Sequence, residues 1–309
     1  MPKHSQPQKP SPPPSPLSVW LMAARPRTLP AAAAPVIAAS GVAYYEQVFQ
    51  PGPALAALAG ALLLQIGANL ANDVFDFQRG ADTPARLGPV RVTQAGLLTP
   101  RQVLAGMWVV FGLAALVGLY LIWVGGWPVL VIGALSILGA LAYTGGPFPF
   151  GYYGLGDVFV FLFFGLAAVC GTYYVQAGTV SALAWWTAVP LGLLATAIIV
   201  VNNLRDVDTD RAAGKRTLAV RLGPQGARYE YAALIIGAYL VPLAAWGLGI
   251  GPNGLLLVLV SAPRAIYWIR LVFALEGRPL NAALAGTGQL ELLYAILYAA
   301  GLFLMRWYA

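Results

Sequence analysis

Two clusters of asparagine and aspartate lie where long apolar runs give way to polar segments: Asn72-Asp73-Val-Phe-Asp76 and Asn202-Asn203-Leu-Arg205-Asp206-Val-Asp208-Thr-Asp210. The chain has only 11 acidic residues, and Asp73, Asp76, Asp82, Asp157, Asp206, Asp208 and Asp210 all sit in or beside such runs. A carboxylate next to hydrocarbon is costly, which marks these positions as functional by default. Asn69, Asn72, Asp73 and Asp76 follow i, i+3, i+4, i+7, a spacing that predicts one shared helix face. Asn202, Asp206 and Asp210 follow i, i+4, i+8 and predict a second stripe. These donors are hard oxygens. With His4 the single histidine and Cys170 the single cysteine, they suit magnesium (Mg2+) better than zinc. Magnesium usually takes one or two carboxylates and completes its shell with water and phosphate, so two facing stripes could hold a diphosphate between metal ions. Arg205, Lys215 and Arg216 follow closely enough to reach the remaining phosphate oxygens.

Two other readings are open to the same residues. Asn and Asp are common polar caps at helix ends, but two clusters at matching positions exceed what capping needs. Acidic residues in a cavity can also conduct ions, as in a cation channel or solute transporter. Transporter sites, however, lie near the bilayer midplane at broken helices. These stripes lie at the ends of the runs beside basic residues, which favours a charged substrate head at the interface and a greasy tail in the bilayer.

The elements that position the stripes follow from composition. The 309 residues are 59% hydrophobic and 9% charged, with a mean hydropathy of +0.73. An all-α, polytopic membrane protein is predicted, because apolar runs of roughly 18 to 20 residues recur along the chain. Nine spans are expected at 18–45, 53–76, 102–124, 127–144, 155–176, 181–203, 228–248, 253–273 and 285–307. The acidic stripes then end helices two and six, as in a coarsely repeated four-helix unit. Arg79, Arg86, Arg91 and Arg101 fall in the segment 77–101, and Arg205, Arg211, Lys215, Arg216 and Arg221 in 204–227. The alternate loops 46–52, 125–126, 177–180 and 249–252 carry no basic residue. The positive-inside rule therefore places the N-terminus and both motif loops in the cytoplasm, with the protein in the cell membrane. The formal charge of +7 is a topology signal and gives no ground for a nucleic-acid partner. Residues 1–16 form a proline-rich tail that cannot build a core, ahead of a single membrane domain at 17–309. The first apolar run superficially mimics a signal peptide, but Arg25-Pro26-Arg27 interrupts it and it runs on too far.

The two clusters, followed by Gly214-Lys215-Arg216-Thr217-Leu218, resemble the two signatures of the UbiA superfamily of intramembrane aromatic prenyltransferases. Ala24-Arg25-Pro26-Arg27-Thr28-Leu29-Pro30, Gly88-Pro-Val-Arg91-Val-Thr-Gln94-Ala-Gly96 and Tyr143-Thr-Gly-Gly-Pro147 through Asp157 are similar to its naphthoate-prenylating branch. The resemblance covers nearly the whole chain after the tail. It implies nine helices around a central cavity, with a magnesium-bound prenyl diphosphate under a cap of the two motif loops. It also implies transfer of the prenyl group to an aromatic hydroxy acid, 1,4-dihydroxy-2-naphthoate, with loss of carbon dioxide and diphosphate. Homogentisate or 4-hydroxybenzoate are the alternative acceptors. On this resemblance Asn72, Asp76, Asp206 and Asp210 are assigned to the metal, with Asp73 and Asn202 as further candidates. The first motif departs from the common Asn-x3-Asp-x3-Asp spacing, because Gly80 takes the last place and Asp82 falls two residues later.

Lys215 and Arg205 are expected on the diphosphate, and Arg91 and Arg25 on the acceptor carboxylate. Asp208, like Asp73, is a candidate for proton handling. An allylic cation needs a dry site with aromatic faces, and Phe75, Tyr143, Tyr153 and Tyr174 are the expected liners. Asp157 and Glu291, in apolar runs, are expected to pair with Arg264 or Arg270. Prenyl length, the quinone pathway served and the oligomeric state are not encoded legibly.

Overall fold

A computed structural model describes residues 14–82 and 86–307. Among them, nine helices are long and apolar enough to cross a membrane: α1 (Pro16–Tyr45), α2 (Pro51–Gln78), α3 (Pro100–Gly125), α4 (Trp127–Thr144), α5 (Gly156–Ala177), α6 (Ala182–Arg205), α7 (Leu218–Gly247), α8 (Asn253–Ala274) and α9 (Leu280–Trp307). The nine expected spans are all present. The expected tail lies outside the described residues up to residue 13, and Pro16 already opens α1 in the first turn, where its missing N–H costs nothing.

Some boundaries move for local reasons. α7 starts at Leu218, well ahead of residue 228, because the Thr217 hydroxyl caps the Val220 amide. Gly223, at φ 73°, then kinks the helix before its membrane run. α1 is broken at Arg25, which adopts φ 53°, followed by a 3-10 turn at Pro26–Thr28. The carbonyls freed there are recovered by side chains: Thr28 Oγ1 donates to the Arg25 oxygen at 3.0 Å and Asn69 Nδ2 to the Ala24 oxygen at 2.9 Å. α5 contains a π-helical segment, Phe161–Ala167.

Helices α1 and α5 to α9 share one apolar core. Small residues bring the helices close, as expected without a hydrophobic driving force between them. A Cβ placed on Gly301 of α9 would lie 2.0 Å from the Gly254 carbonyl oxygen of α8. Buried hydroxyl pairs tie α7 to α9 (Tyr231–Thr287, 2.8 Å) and α6 to α9 (Thr187–Tyr298, 2.8 Å). Beside this core, helices α1 to α6, with Leu284 and Gly288 of α9, surround a cavity of about 680 Å³. Its walls are apolar along most of their length, and its polar end lies where α2 and α6 finish.

Candidate active site

The α2 face is split at its inner end. Asn69, Asn72 and Asp76 line the cavity. Asp73 does not. It is 1% exposed, and its two oxygens accept from the backbone N–H groups of Val92 (3.1 Å) and Thr93 (3.0 Å). Adjacent residues on a helix diverge by about 100°, so Asn72 and Asp73 straddle the stripe and Asp73 falls to the loop side. It anchors the segment carrying Arg86 and Arg91, and takes no place among the cavity donors. Asp76 is the most heavily engaged carboxylate: Tyr152 Oη donates to Oδ1 at 2.7 Å, Arg91 Nη2 donates to Oδ2 at 3.0 Å, and Lys215 Nζ lies 3.5 Å from Oδ1. Asn72 Oδ1 accepts from the Thr144 hydroxyl at 2.9 Å.

The second motif bends and still presents its stripe. α6 ends at Arg205, Asp206 occupies the break (φ −97°, ψ 9°), and a short helix Val207–Ala212 continues. The Asp210 amide donates to the Asp206 carbonyl at 2.7 Å, which preserves the register. Asn202, Asp206 and Asp210 all line the cavity. Two expected site residues are elsewhere. Asp208 is on the opposite face, its side chain 88% exposed and paired with Arg211 at 3.3 Å. Arg205 lies behind the site: Nε donates to Asp206 Oδ1 (2.9 Å), Nη2 to Asn202 Oδ1 (3.0 Å) and Asp206 Oδ2, and Nη1 to Asn281 Oδ1 (2.8 Å). Every nitrogen of its guanidinium is used within the protein, so it positions two cavity donors and is not itself free to reach a phosphate.

Lys215 faces the cavity between the two acidic stripes. Gly214, at φ 75°, turns the chain after the short helix, and the Lys215 amide bonds back to the Asp210 carbonyl at 2.9 Å. Its Nζ thereby lies 3.6 Å from Asp210 Oδ1 as well as near Asp76. Arg25, Arg27, Arg86 and Arg91 complete the basic lining. Asp82, which the motif spacing left open, pairs with Arg86 and lies 3.3 Å from Arg91 Nε, outside the cavity lining. Among the described residues, Arg25 Nη2 and Arg91 Nη1 are buried without a hydrogen-bond partner, as befits donors facing an anion.

Burial raises the Asp210 carboxyl to about 6; Lys215 opposes this, and the neighbouring Asp206 and Asp76 add to it. Burial and the Asp76 carboxylate push the Tyr152 phenol above its usual range. Burial lowers the Arg86 guanidinium, with Arg91 contributing.

Among the described residues no group of three His, Cys, Asp or Glu side chains could hold a metal ion by itself. Asn72, Asp76, Asn202, Asp206 and Asp210 instead form an oxygen-only set beside unpaired guanidinium N–H groups. That set fits a small hard cation sharing its shell with a diphosphate, and does not fit zinc.

The aromatic lining differs from expectation. Tyr143 lines the cavity, with Phe150 edge-on at 5.4 Å, but Phe75, Tyr153 and Tyr174 do not. Phe75 packs on Gly145, Tyr174 sits beside Gly125, and Tyr153 stacks on Phe148 at 4.2 Å. Their places are taken by Tyr152, Phe159, Phe163 and Phe164. Tyr152 is a site residue that sequence reasoning missed, with Lys215 Nζ 4.6 Å and the Arg79 guanidinium 5.6 Å from its ring centroid. Arg86 was missed as well; its position within a basic segment was the only signal. Asp157 and Glu291 are buried with no hydrogen-bond partner among the described residues. They do not pair with Arg264 or Arg270, and Arg264 bonds Gln289 at 2.6 Å.

Residues 32–285 match the model of the UbiA prenyltransferase family. The chain is 40% identical over 298 residues to 1,4-dihydroxy-2-naphthoate octaprenyltransferase of Escherichia coli K12, covering 94% of this chain and 96% of that one. It is 42% identical over 284 residues to the Mycobacterium tuberculosis H37Rv protein of the same name, covering 92% and 96%. Among solved structures, it resembles an apo UbiA homolog from Aeropyrum pernix K1 (TM-score 0.66, 16% identity, 88% of this chain and 97% of that one). It also resembles a UbiA homolog from Archaeoglobus fulgidus bound to GPP and Mg2+ (TM-score 0.65, 14% identity, 92% and 99%).

Proposed function

This chain belongs to the UbiA prenyltransferase family, and from that premise we propose that it transfers a prenyl group from a polyprenyl diphosphate to 1,4-dihydroxy-2-naphthoate, yielding demethylmenaquinol, carbon dioxide and diphosphate. The observation that carries this reading is one cavity joining an oxygen-and-cation polar end to a long apolar compartment. Relatives named for this reaction match over most of their length.

Asn72, Asp76, Asp206 and Asp210, with Asn202 alongside, would hold magnesium, which when bound would neutralise charge on the donor's diphosphate. The chain's own groups do the rest. Lys215, Arg91 and Arg86 present fixed positive charge where negative charge grows as the allylic C–O bond breaks and its electron pair leaves with the diphosphate. Tyr152, Tyr143 and the Phe159–Phe163 wall face the allylic carbon with ring surfaces and keep water out. The carboxylate-bearing ring carbon of the acceptor attacks that carbon, and the C–CO2 bond returns its electron pair to the ring as carbon dioxide leaves. Arg25, whose Nη2 makes no hydrogen bond and lies 4.0 Å from Asp73 Oδ2, is placed to receive the acceptor carboxylate before it is lost. Exposed Asp208 reaches none of these groups. The motif ends and the N-terminus face the cytoplasm across the cell membrane in this reading, in keeping with the loop charges, and residues 17–309 act as one membrane domain.

The test is incubation of the purified protein with magnesium, 1,4-dihydroxy-2-naphthoate and prenyl diphosphates, with mass spectrometry for the decarboxylated prenyl product. An Asp76→Ala, Asp206→Ala double variant serves as the blank. Product from the wild type alone supports the assignment. Product only with homogentisate or 4-hydroxybenzoate moves the acceptor; no product with any acceptor overturns the enzyme reading.

A further inference from the structure

A second recess, of about 430 Å³, lies against the polar end of the cavity and is lined by Arg79, Tyr152, Tyr153, Gly214 and Arg216 beside two prolines. Among the described residues, Tyr152 alone belongs to both linings. Its hydroxyl donates to Asp76 on the cavity side, and one cation from each compartment rests against its ring. Lys215, which lines the cavity, has its Nζ 4.6 Å from the ring centroid, and the guanidinium of Arg79, which lines the recess, is 5.6 Å away. The ring is therefore the partition between the two spaces.

Arg216, expected among the diphosphate contacts, lines the recess and not the cavity. Its neighbour Lys215 does the reverse, so adjacent residues of one motif loop serve the two compartments. Among the described residues, the hydrogen bonds of Arg216 run through its backbone: the N–H donates to the Tyr152 carbonyl at 2.7 Å, and the carbonyl accepts from Arg221 Nε at 3.2 Å. Its guanidinium is left exposed at the recess. Arg79 is fixed beside it, with Nε donating to the Thr144 carbonyl at 2.9 Å and Nη2 to the Gly146 carbonyl. No carboxylate is among the described residues that line this recess, so its two positive charges are uncompensated there.

We propose that the Arg79–Arg216 recess is a second phosphate-binding site, which receives the diphosphate as it leaves the cavity for the cytoplasm. The proposal rests on the prenyl-transfer reading and adds a station to its product's route. A multiply charged anion cannot leave through hydrocarbon, so it departs on the polar side, past the groups that held it. Guanidinium forks suit phosphate oxygens and stay charged. The step from Lys215 to Arg216 is one residue, about 3.8 Å of chain, past the edge of the Tyr152 ring. Because the Arg216 amide is bonded to the Tyr152 carbonyl, the motif loop and the partition are tied to each other. Phe148 and Tyr153, exposed and stacked at 4.2 Å beside the recess, are aromatics of the kind found at headgroup level. An anionic lipid headgroup would offer the recess the same phosphate chemistry, and the test separates the two sources.

The full-length protein in phosphatidylcholine nanodiscs is titrated with inorganic diphosphate in EDTA, by calorimetry, so that metal-dependent binding in the cavity is silent. Arg216→Gln removes the charge and keeps the backbone tether; Arg216→Lys keeps the charge and loses the fork. Expected is binding by the wild type, an at least tenfold loss of affinity in Arg216→Gln and a several-fold loss in Arg216→Lys. No binding by the wild type, or equal affinity in Arg216→Gln, would overturn the proposal. Should Arg216→Gln not fold, the lysine variant carries the comparison. The titration is repeated in discs with an equal part of phosphatidylglycerol, at a salt concentration that screens the disc surface; loss of diphosphate binding there would give the recess to a lipid headgroup and overturn the product role. Rapid-mixing kinetics then test the route: Arg216→Gln should keep the first turnover within twofold of the wild type and slow later turnovers at least threefold, and lost binding with both rates unchanged would place the recess off the exit path. Diphosphate binding without transfer to any acceptor would defeat the reaction reading and leave the phosphate site standing.

Discussion

Lys215 Nζ lies 3.5 Å from Asp76 Oδ1, joining residues from two motifs that are far apart in the chain. The same ammonium is 3.6 Å from Asp210, so it holds both acidic stripes at one place. A neutral side chain there leaves two buried carboxylates facing each other and removes a fixed cation from the leaving group. Lys215→Met is expected to lower kcat by roughly 10²-fold, the scale seen when one preorganised electrostatic donor is deleted. Steady-state kinetics with varied donor at saturating magnesium checks this; a rise in KM with unchanged kcat would reduce Lys215 to a ground-state contact.

Arg205 stands behind Asp206 and Asn202 with its nitrogens committed to them and to Asn281. A lysine cannot reproduce the fork. Arg205→Lys should therefore weaken magnesium activation by about 10- to 100-fold, the range for groups that orient metal ligands. The donor KM at saturating magnesium should move much less. Magnesium titrations of activity at fixed donor decide it, and an unchanged activation constant with a raised donor KM would return Arg205 to direct diphosphate contact.

The nine spans and the cavity-facing identity of Asn72, Asp76, Asn202, Asp206 and Asp210 were legible in the sequence, because hydropathy length and helical spacing are local signals. What escaped were facts of packing. Asp73 and Arg205 satisfy every compositional criterion for the site, yet one is turned by about 100° of helix rotation and the other is saturated by its neighbours. Tyr152 sits in a single 3-10 turn, Phe150–Tyr153, and Arg86 in a loop, where no periodicity says which side chain turns inward. The aromatic wall moved from Phe75, Tyr153 and Tyr174 to Phe159, Phe163 and Phe164 through helix packing: a ring's type is readable, and its facing depends on where a neighbouring glycine leaves room, as Gly145 does for Phe75.

Asp73 offers a clean separation of anchoring from chemistry. Its two oxygens serve two amides of one loop, and an asparagine can accept with only one. Asp73→Asn should destabilise the fold by about 1–3 kcal/mol, the cost of a buried donor left unpaired, and lower activity by displacing Arg86 and Arg91. Asp208→Ala, at an 88% exposed side chain, should leave turnover within twofold. Thermal unfolding and initial rates test both. A stable but inactive Asp73→Asn protein, or an inactive Asp208→Ala protein, would restore either aspartate to proton handling.

Asp210 sets a pH dependence. Burial, with Asp206 and Asp76 adding and Lys215 opposing, raises its carboxyl to about 6, above an unfolded-chain value of about 3.9. Between those limits the folded protein holds more protons at this site than the unfolded one, so in the metal-free protein this group favours folding as the pH falls through 6 and disfavours it above. Cation binding has the opposite sign, since the ligand must be ionised. The magnesium concentration for half-maximal activity should be flat above about pH 7 and rise several-fold by pH 5, and calorimetry near pH 6 in buffers of different ionisation enthalpy should show proton release on magnesium binding. Asp210→Asn should abolish that proton release; if the release persists, another group titrates with the metal and Asp210 is not the ligand that controls it.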